Sequence, residues 1–242
     1  MDGSCWDRFG RKTLLTFTGY KDCVPGVMSE LDRIGMKDVN VQWQFPNPFE
    51  SVLLRDLRHE KCLSAGYMNA SMGHYSAIKT AYHLGMDSCI VIEDDICFLK
   101  DLDKIASVVK SLPEDFDIAL FDMFLLGLGE SEHADYLNAK KNRKINDEWA
   151  EYDNLRSQGC YAMSRKAMER YIWLNEVAVT DHRIGKLRIG DHFLARKYMG
   201  KDMKLYFSVD HIAIQRSVGS SNTNATDPYE GMDVDINLYG GA

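Results

Sequence analysis

Short apolar runs alternate along this chain with stretches whose apolar residues recur at helical spacing. Residues 12–18 (KTLLTFT) read as a first strand, and Val27, Met28, Leu31 and Ile34 then recur as one face of a helix stopped by Gly35. Residues 39–45 (VNVQWQF) alternate as a second strand, closed by the Pro-Asn-Pro of 46–48. Residues 70–84 are small and apolar enough for a long helix capped by Gly85, with Met72, Tyr75, Ile78 and Tyr82 as its predicted buried stripe. Residues 88–92 (SCIVI) form a short, β-branched run of the kind buried on both faces of a sheet. A helix is predicted over 101–112, strands over 117–121 and 159–163, a helix over 165–174 begun by Ser164, and a last strand over 204–209. The order β-α-β-α-β predicts an α/β fold built on a mostly parallel sheet with helices on both faces. Residues 49–69 give no clear period, and 130–157 read as a polar, irregular insert, the pattern of a lid or loose loop.

The 242 residues suffice for one domain with a full core. A net charge of −7 excludes nucleic acid as the main partner, since binding phosphates needs a basic face. The most apolar region, 118–128, is short and broken by Asp122, which predicts no transmembrane segment. Six scattered cysteines without a C-x-x-C pair read as buried thiols of a reduced, cytoplasmic protein.

The chemistry concentrates where SCIVI ends in Glu93, Asp94 and Asp95. Three adjacent carboxylates repel one another and call for a cation, and in an open α/β sheet ligands bind beyond the C-terminal strand ends. Hard oxygen donors suit Mn²⁺ or Mg²⁺, so the run reads as a divalent-metal site for a phosphorylated ligand; a solvated acidic turn is the plainer alternative. Asp115-Phe116-Asp117 and Asp101-Leu102-Asp103 repeat the D-x-D pattern but precede regular elements, where they serve as entry residues. Thr18, Gly19, Tyr20 and Lys21, after the first strand, form a loop suited to a nucleotide base, with an ordinary βα turn as the equal alternative. His74 opens the long helix, Asp191 precedes the apolar-periodic HFLARKYM, and Lys140, Lys141, Arg143 and Lys144 put a basic cluster into the insert. Their plain roles are a core histidine, a helix cap and solvated charges.

Taken together, five segments resemble glycosyltransferase family 25, the lipooligosaccharide and collagen galactosyltransferase type. They are Gly66, Ser71 and His74 with their helix, IVIEDDICF from Ile90, GCYAMSRKAMERYI from Gly159, and GDHFL at Gly190 followed by IAIQRSVGSSN from Ile212. The resemblance covers about residues 62–222. It departs at Gly73, where the family has Ser, and in the first strand, which carries FTGYKD.

This resemblance implies a single GT-A-like domain: a nucleotide-binding half over about 1–100, an acceptor half over 101–222 and a tail over 223–242. It implies an inverting, metal-dependent transfer of a sugar, galactose first, from a UDP-sugar to a glycan or glycolipid acceptor of the cell surface. The enzyme would be cytoplasmic, with peripheral contact at the inner membrane face. Asp95 and Asp94 become the implied metal ligands, with His211 a further one. Glu93, Asp94 and His74 hold ribose and diphosphate, and Asp191 is the implied general base. A non-catalytic nucleotide- or glycan-binding relative is the alternative function, and a nucleotidyltransferase a more distant one.

Overall fold

The computed structural model describes residues 4–17, 24–44, 65–122, 130–155, 157–180 and 194–215. After a short 3₁₀ turn (Cys5–Arg8) come β1 (Arg11–Phe17), α1 (Val24–Arg33), β2 (Val39–Gln44), α2 (Ala65–His83), β3 (Ser88–Glu93), β4 (Ile96–Phe98), α3 (Leu102–Ser111) and β5 (Ile118–Leu120). They are followed by α4 (Glu130–Asn142), β6 (Trp149–Glu151), β7 (Cys160–Ser164), α5 (Arg165–Thr180), α6 (Arg196–Met199), β8 (Leu205–Ser208) and β9 (Ala213–Gln215).

Seven strands form one sheet in the order β2-β1-β3-β7-β5-β8-β6, and β4 pairs with β9 in a separate ribbon. β1 lies parallel to both β2 and β3, and β5 is parallel to β8; β7 runs antiparallel to β3 and β5, and β6 antiparallel to β8. Five strands therefore point one way, as the β-α-β order predicts. The registers Leu15↔Glu93 and Ile92↔Cys160 bring the C-terminal ends of β1 and β3 and the start of β7 to the same edge.

Strand alternation sorts the core into two layers. Cys89 and Val91 face a layer with side chains of α2, α4 and α5, while Ile90 and Ile92 face a layer with α1 and α3. Burying each Val or Ile in this way stabilises the fold by roughly 1.5–3 kcal/mol, so the central strand is firmly registered. Two glycines predicted as helix stops take that role: Gly35 and Gly85 have φ of 75° and 76°, a conformation costly for any side chain. Around them Met36 N–H reaches Leu31 O, and Met86 N–H reaches Ala81 O, closing both helices with the same 6→1 bond. Asp101 caps α3 by accepting from Lys104 N–H at 2.9 Å. Ser164 accepts from Ala167 N–H at 3.2 Å at the start of α5.

Three expectations need correction. The buried face of α2 is Ser71, His74, Ala77, Ile78 and Ala81, whereas Met72 is half exposed and Tyr75 and Tyr82 lie at its margin. Small side chains let the helix approach the sheet closely, which places the contact face beside the bulky stripe instead of on it. The insert over 130–157 is not irregular: it holds α4 and the edge strand β6, with Tyr136, Ala139, Trp149, Ala150 and Leu155 buried. Its apolar residues are few and widely spaced, so the period is faint in the sequence. Finally, among the described residues of HFLARKYM (194–199), the α-helix is confined to Arg196–Met199 and has no side-chain cap.

Candidate active site at the ends of the parallel strands

Glu93 is the last residue of β3, and Asp94 and Asp95 form the turn into β4. All three are half-buried. Each of the first two is held by a different neighbour. Thr16, fully buried near the end of β1, donates its hydroxyl to Asp94 Oδ2 at 2.6 Å. His74, brought down by α2, sits with Nε2 3.0 Å from Glu93 Oε1 and Nδ1 3.0 Å from the Tyr161 hydroxyl on β7. His74 thus lies in the middle of α2 and does not open it, and the same turn of the helix is tied to β2, where Gln42 Nε2 donates to Gly73 O.

The chemistry of these partners fixes the protons. An ionised carboxylate only accepts, so Nε2 carries the hydrogen toward Glu93. Burial pushes the Tyr161 phenol well above its usual pKa, so it stays protonated and donates to Nδ1. Tyr161, His74 and Glu93 thus form one directed chain of hydrogen bonds ending on a half-exposed carboxylate.

A second carboxylate lies behind this chain. Asp122, just past β5, is buried and accepts from the Ser157 hydroxyl and, at 2.7 Å, from Cys160 N–H. Burial, aided by the negative charge of Glu93 and opposed by those hydrogen bonds, pushes its pKa up to about 7. Ser157 adopts a φ of 139°, a backbone state that costs of order 1–3 kcal/mol unless its surroundings hold it. Next to it, Gly159 has no room for a side chain. A Cβ there would lie 2.5 Å from Ile96 Cδ1 and 2.6 Å from Asp122 Oδ2.

Of the residues singled out by sequence, Glu93, Asp94, Asp95 and His74 meet at this edge. His74 has both ring nitrogens engaged and is 1% exposed, so it is closed to direct contact with a ligand and instead orients Glu93. His211 is elsewhere. The ribbon register pairs Ile96 with Gln215, while Ile212, next to His211, accepts from Leu99 N–H beyond the far end of β4. There His211 Nε2 is 2.8 Å from the Tyr136 hydroxyl, the rings stack, and burial lowers its pKa to about 4. Thr18, Gly19, Tyr20 and Asp191 lie outside the described residues. Sequence reasoning missed Thr16, Tyr161 and Asp122. Asp122 had a readable signal: the apolar run 118–121 ends in an acid just as SCIVI does.

The donor set bears on metal binding. No group of three metal-ligating side chains occurs among the described residues, so they build no closed protein cage. Asp94 and Asp95 instead offer two hard-oxygen carboxylates in one turn, which fits the mode of Mg²⁺ and Mn²⁺ sites completed by water and substrate phosphates.

No known protein family matches the sequence, and no curated protein does. Among solved structures the chain is similar to the apo form of the glycosyltransferase GlyE of Streptococcus pneumoniae TIGR4, with 12% identity and a TM-score of 0.40 over 81% of this chain and 44% of that one. It is similar to a glycosyltransferase involved in glycosylation of the major capsid of PBCV-1, with 12% identity and a TM-score of 0.35 over 82% and 92%. A third is the galactosyltransferase LgtC in complex with donor and acceptor sugar analogs, with 12% identity and a TM-score of 0.38 over 75% and 67%. The chain spans under half the length of the pneumococcal protein. Likeness at this level fixes neither family nor activity.

Proposed function

We propose that this chain is a glycosyltransferase that binds a divalent metal and a UDP-sugar at the Glu93-Asp94-Asp95 turn. The observation that carries this reading is the placement of the acid turn at the shared C-terminal edge of parallel β1 and β3, with Asp94 held by Thr16 and Glu93 by His74. Carboxylates oriented this firmly at a strand edge suit ligand binding better than a solvated turn does.

Asp94 and Asp95 would hold the ion, Mn²⁺ or Mg²⁺, which when bound supplies charge neutralisation to a diphosphate leaving group. Glu93, oriented by His74, would accept hydrogen bonds from ligand hydroxyls such as those of ribose. Residues 18–20 follow β1 directly and would carry the nucleotide base. Asp191 is assigned the proton of the acceptor hydroxyl, on the strength of the family 25 resemblance of its GDHFL segment. That resemblance also supports galactose as the sugar and a cell-surface glycan or glycolipid as the acceptor.

The test is UDP-galactose hydrolysis and transfer by protein stripped of metal with a chelator. Activity should be absent, return with Mn²⁺, and fall at least about 100-fold in Asp95→Asn and Asp94→Asn. Activity with a panel of UDP-sugars that ignores both chelator and substitutions would overturn the assignment.

A further inference from the structure

The turn over 157–160 grips the acid turn from both sides. Gly159 O accepts from Glu93 N–H at 2.7 Å, immediately before Asp94. A Cβ on Gly159 would lie 2.5 Å from Cδ1 of Ile96, the residue immediately after Asp95, so a side chain there would collide with it. The same Cβ position would also lie 2.6 Å from Asp122 Oδ2, so Asp122 and Ile96 close on one side of Gly159. Asp122 in turn fixes the turn at two points, through the Ser157 hydroxyl and through Cys160 N–H. Ser157 Oγ passes the constraint on by accepting from Gly159 N–H at 3.2 Å, and Cys160 O accepts from Phe121 N–H at 3.0 Å, next to Asp122 itself.

Nothing in this arrangement points Asp122 toward a ligand, because its side chain is buried and both oxygens are in use. We infer that Asp122 is the positioning residue of the acid turn, acting through Ser157 and Gly159 to hold Glu93, Asp94 and Asp95 in the geometry that a metal–diphosphate ligand requires. The ligand in this statement rests on the donor site proposed above; the positioning itself does not.

Hydrogen exchange read by mass spectrometry, paired with calorimetric titration of UDP and Mn²⁺, separates the two. In Asp122→Ala, exchange at the Glu93 amide should accelerate about tenfold or more while β6 and β8 keep wild-type protection, and UDP·Mn²⁺ should bind at least about tenfold more weakly. Asp122→Asn should restore both to within about threefold, since Oδ1 still accepts from Cys160 N–H and Nδ2 donates to Ser157 Oγ. Ser157→Ala, which removes one link and leaves the core filled, should reproduce the local acceleration, and it carries the test if Asp122→Ala does not fold. Unchanged exchange at Glu93, or equal acceleration through β5, β8 and β6, overturns the inference. Local acceleration in a protein whose wild type binds no UDP supports the positioning role and sinks the donor assignment instead.

Discussion

His74 and His211 are both buried imidazoles bonded to a tyrosine hydroxyl, yet they stand in opposite surroundings. His74 joins Tyr161 to Glu93 at the open end of the parallel strands, so its second nitrogen is spent on orienting an acid that faces outward. His211 stacks on Tyr136 within the layer that α4 covers, and burial keeps it neutral down to about pH 4. A buried histidine is therefore informative by what its far nitrogen holds. The first belongs to an organised site; the second fills and ties a core. The basic cluster around α4 looks like a site in the sequence, but Arg143 is paired with Asp153, and Lys140 lies on a helix that serves the core around His211.

Removing each histidine should break this comparison most sharply. His74→Ala opens a cavity and strips buried partners from Tyr161 and Glu93, costing about 2–4 kcal/mol by urea unfolding and reducing UDP·Mn²⁺ affinity at least about tenfold. His211→Phe keeps an aromatic ring in the core and loses the buried hydrogen bond to Tyr136, costing about 1–3 kcal/mol at pH 7 with donor affinity unchanged. Equal loss of affinity in both would erase the distinction.

Acid sharpens it further. The pKa of His211 is depressed in the fold to about 4 against 6.5 unfolded, so between those values the unfolded chain binds the extra proton. Stability due to this residue is thus present above pH 6.5 and lost as pH falls toward 4, by about 3 kcal/mol in all. His211→Phe should lack that part of the slope, so its deficit at pH 7 shrinks or reverses by pH 4.5. A wild type and variant whose unfolding midpoints fall in parallel on acidification would contradict the buried neutral histidine.

Gly159→Ala probes the support beneath the acid turn. Its Cβ would overlap Ile96 and Asp122, so a loss of about 1–3 kcal/mol is expected, with weakened UDP·Mn²⁺ binding. The smallest effect belongs to Asp101→Ala, which removes the α3 cap and none of the bonds that hold the acid turn: about 1 kcal/mol in thermal or urea unfolding, and no change in donor binding.

Much of this was legible in residue order. Alternation and glycine stops marked β1, α1, β2, β3 and β7, and the abrupt change from SCIVI to three acids marked the site edge. What escaped were partners set by pairing across the sheet. Thr16 meets Asp94 and Tyr161 meets His74 only because β1 and β7 flank β3, a register no local pattern carries. The β4–β9 ribbon joins three-residue strands more than a hundred positions apart, too short for a period to show. The α4–β6 region hides its few buried residues among charges. His211 was singled out within the family 25 resemblance, and a histidine's place in a motif does not distinguish a ligand from a core residue bonded to Tyr136.

The central claim is that the half-buried acid turn is a metal-dependent nucleotide site. Calorimetric titration of UDP, with and without Mn²⁺, into wild type and Asp95→Ala tests it most directly. The account predicts binding that requires the metal in wild type and is abolished in Asp95→Ala, with the variant still folded by circular dichroism. UDP binding that is absent under both conditions, or that survives unchanged in Asp95→Ala, would contradict it.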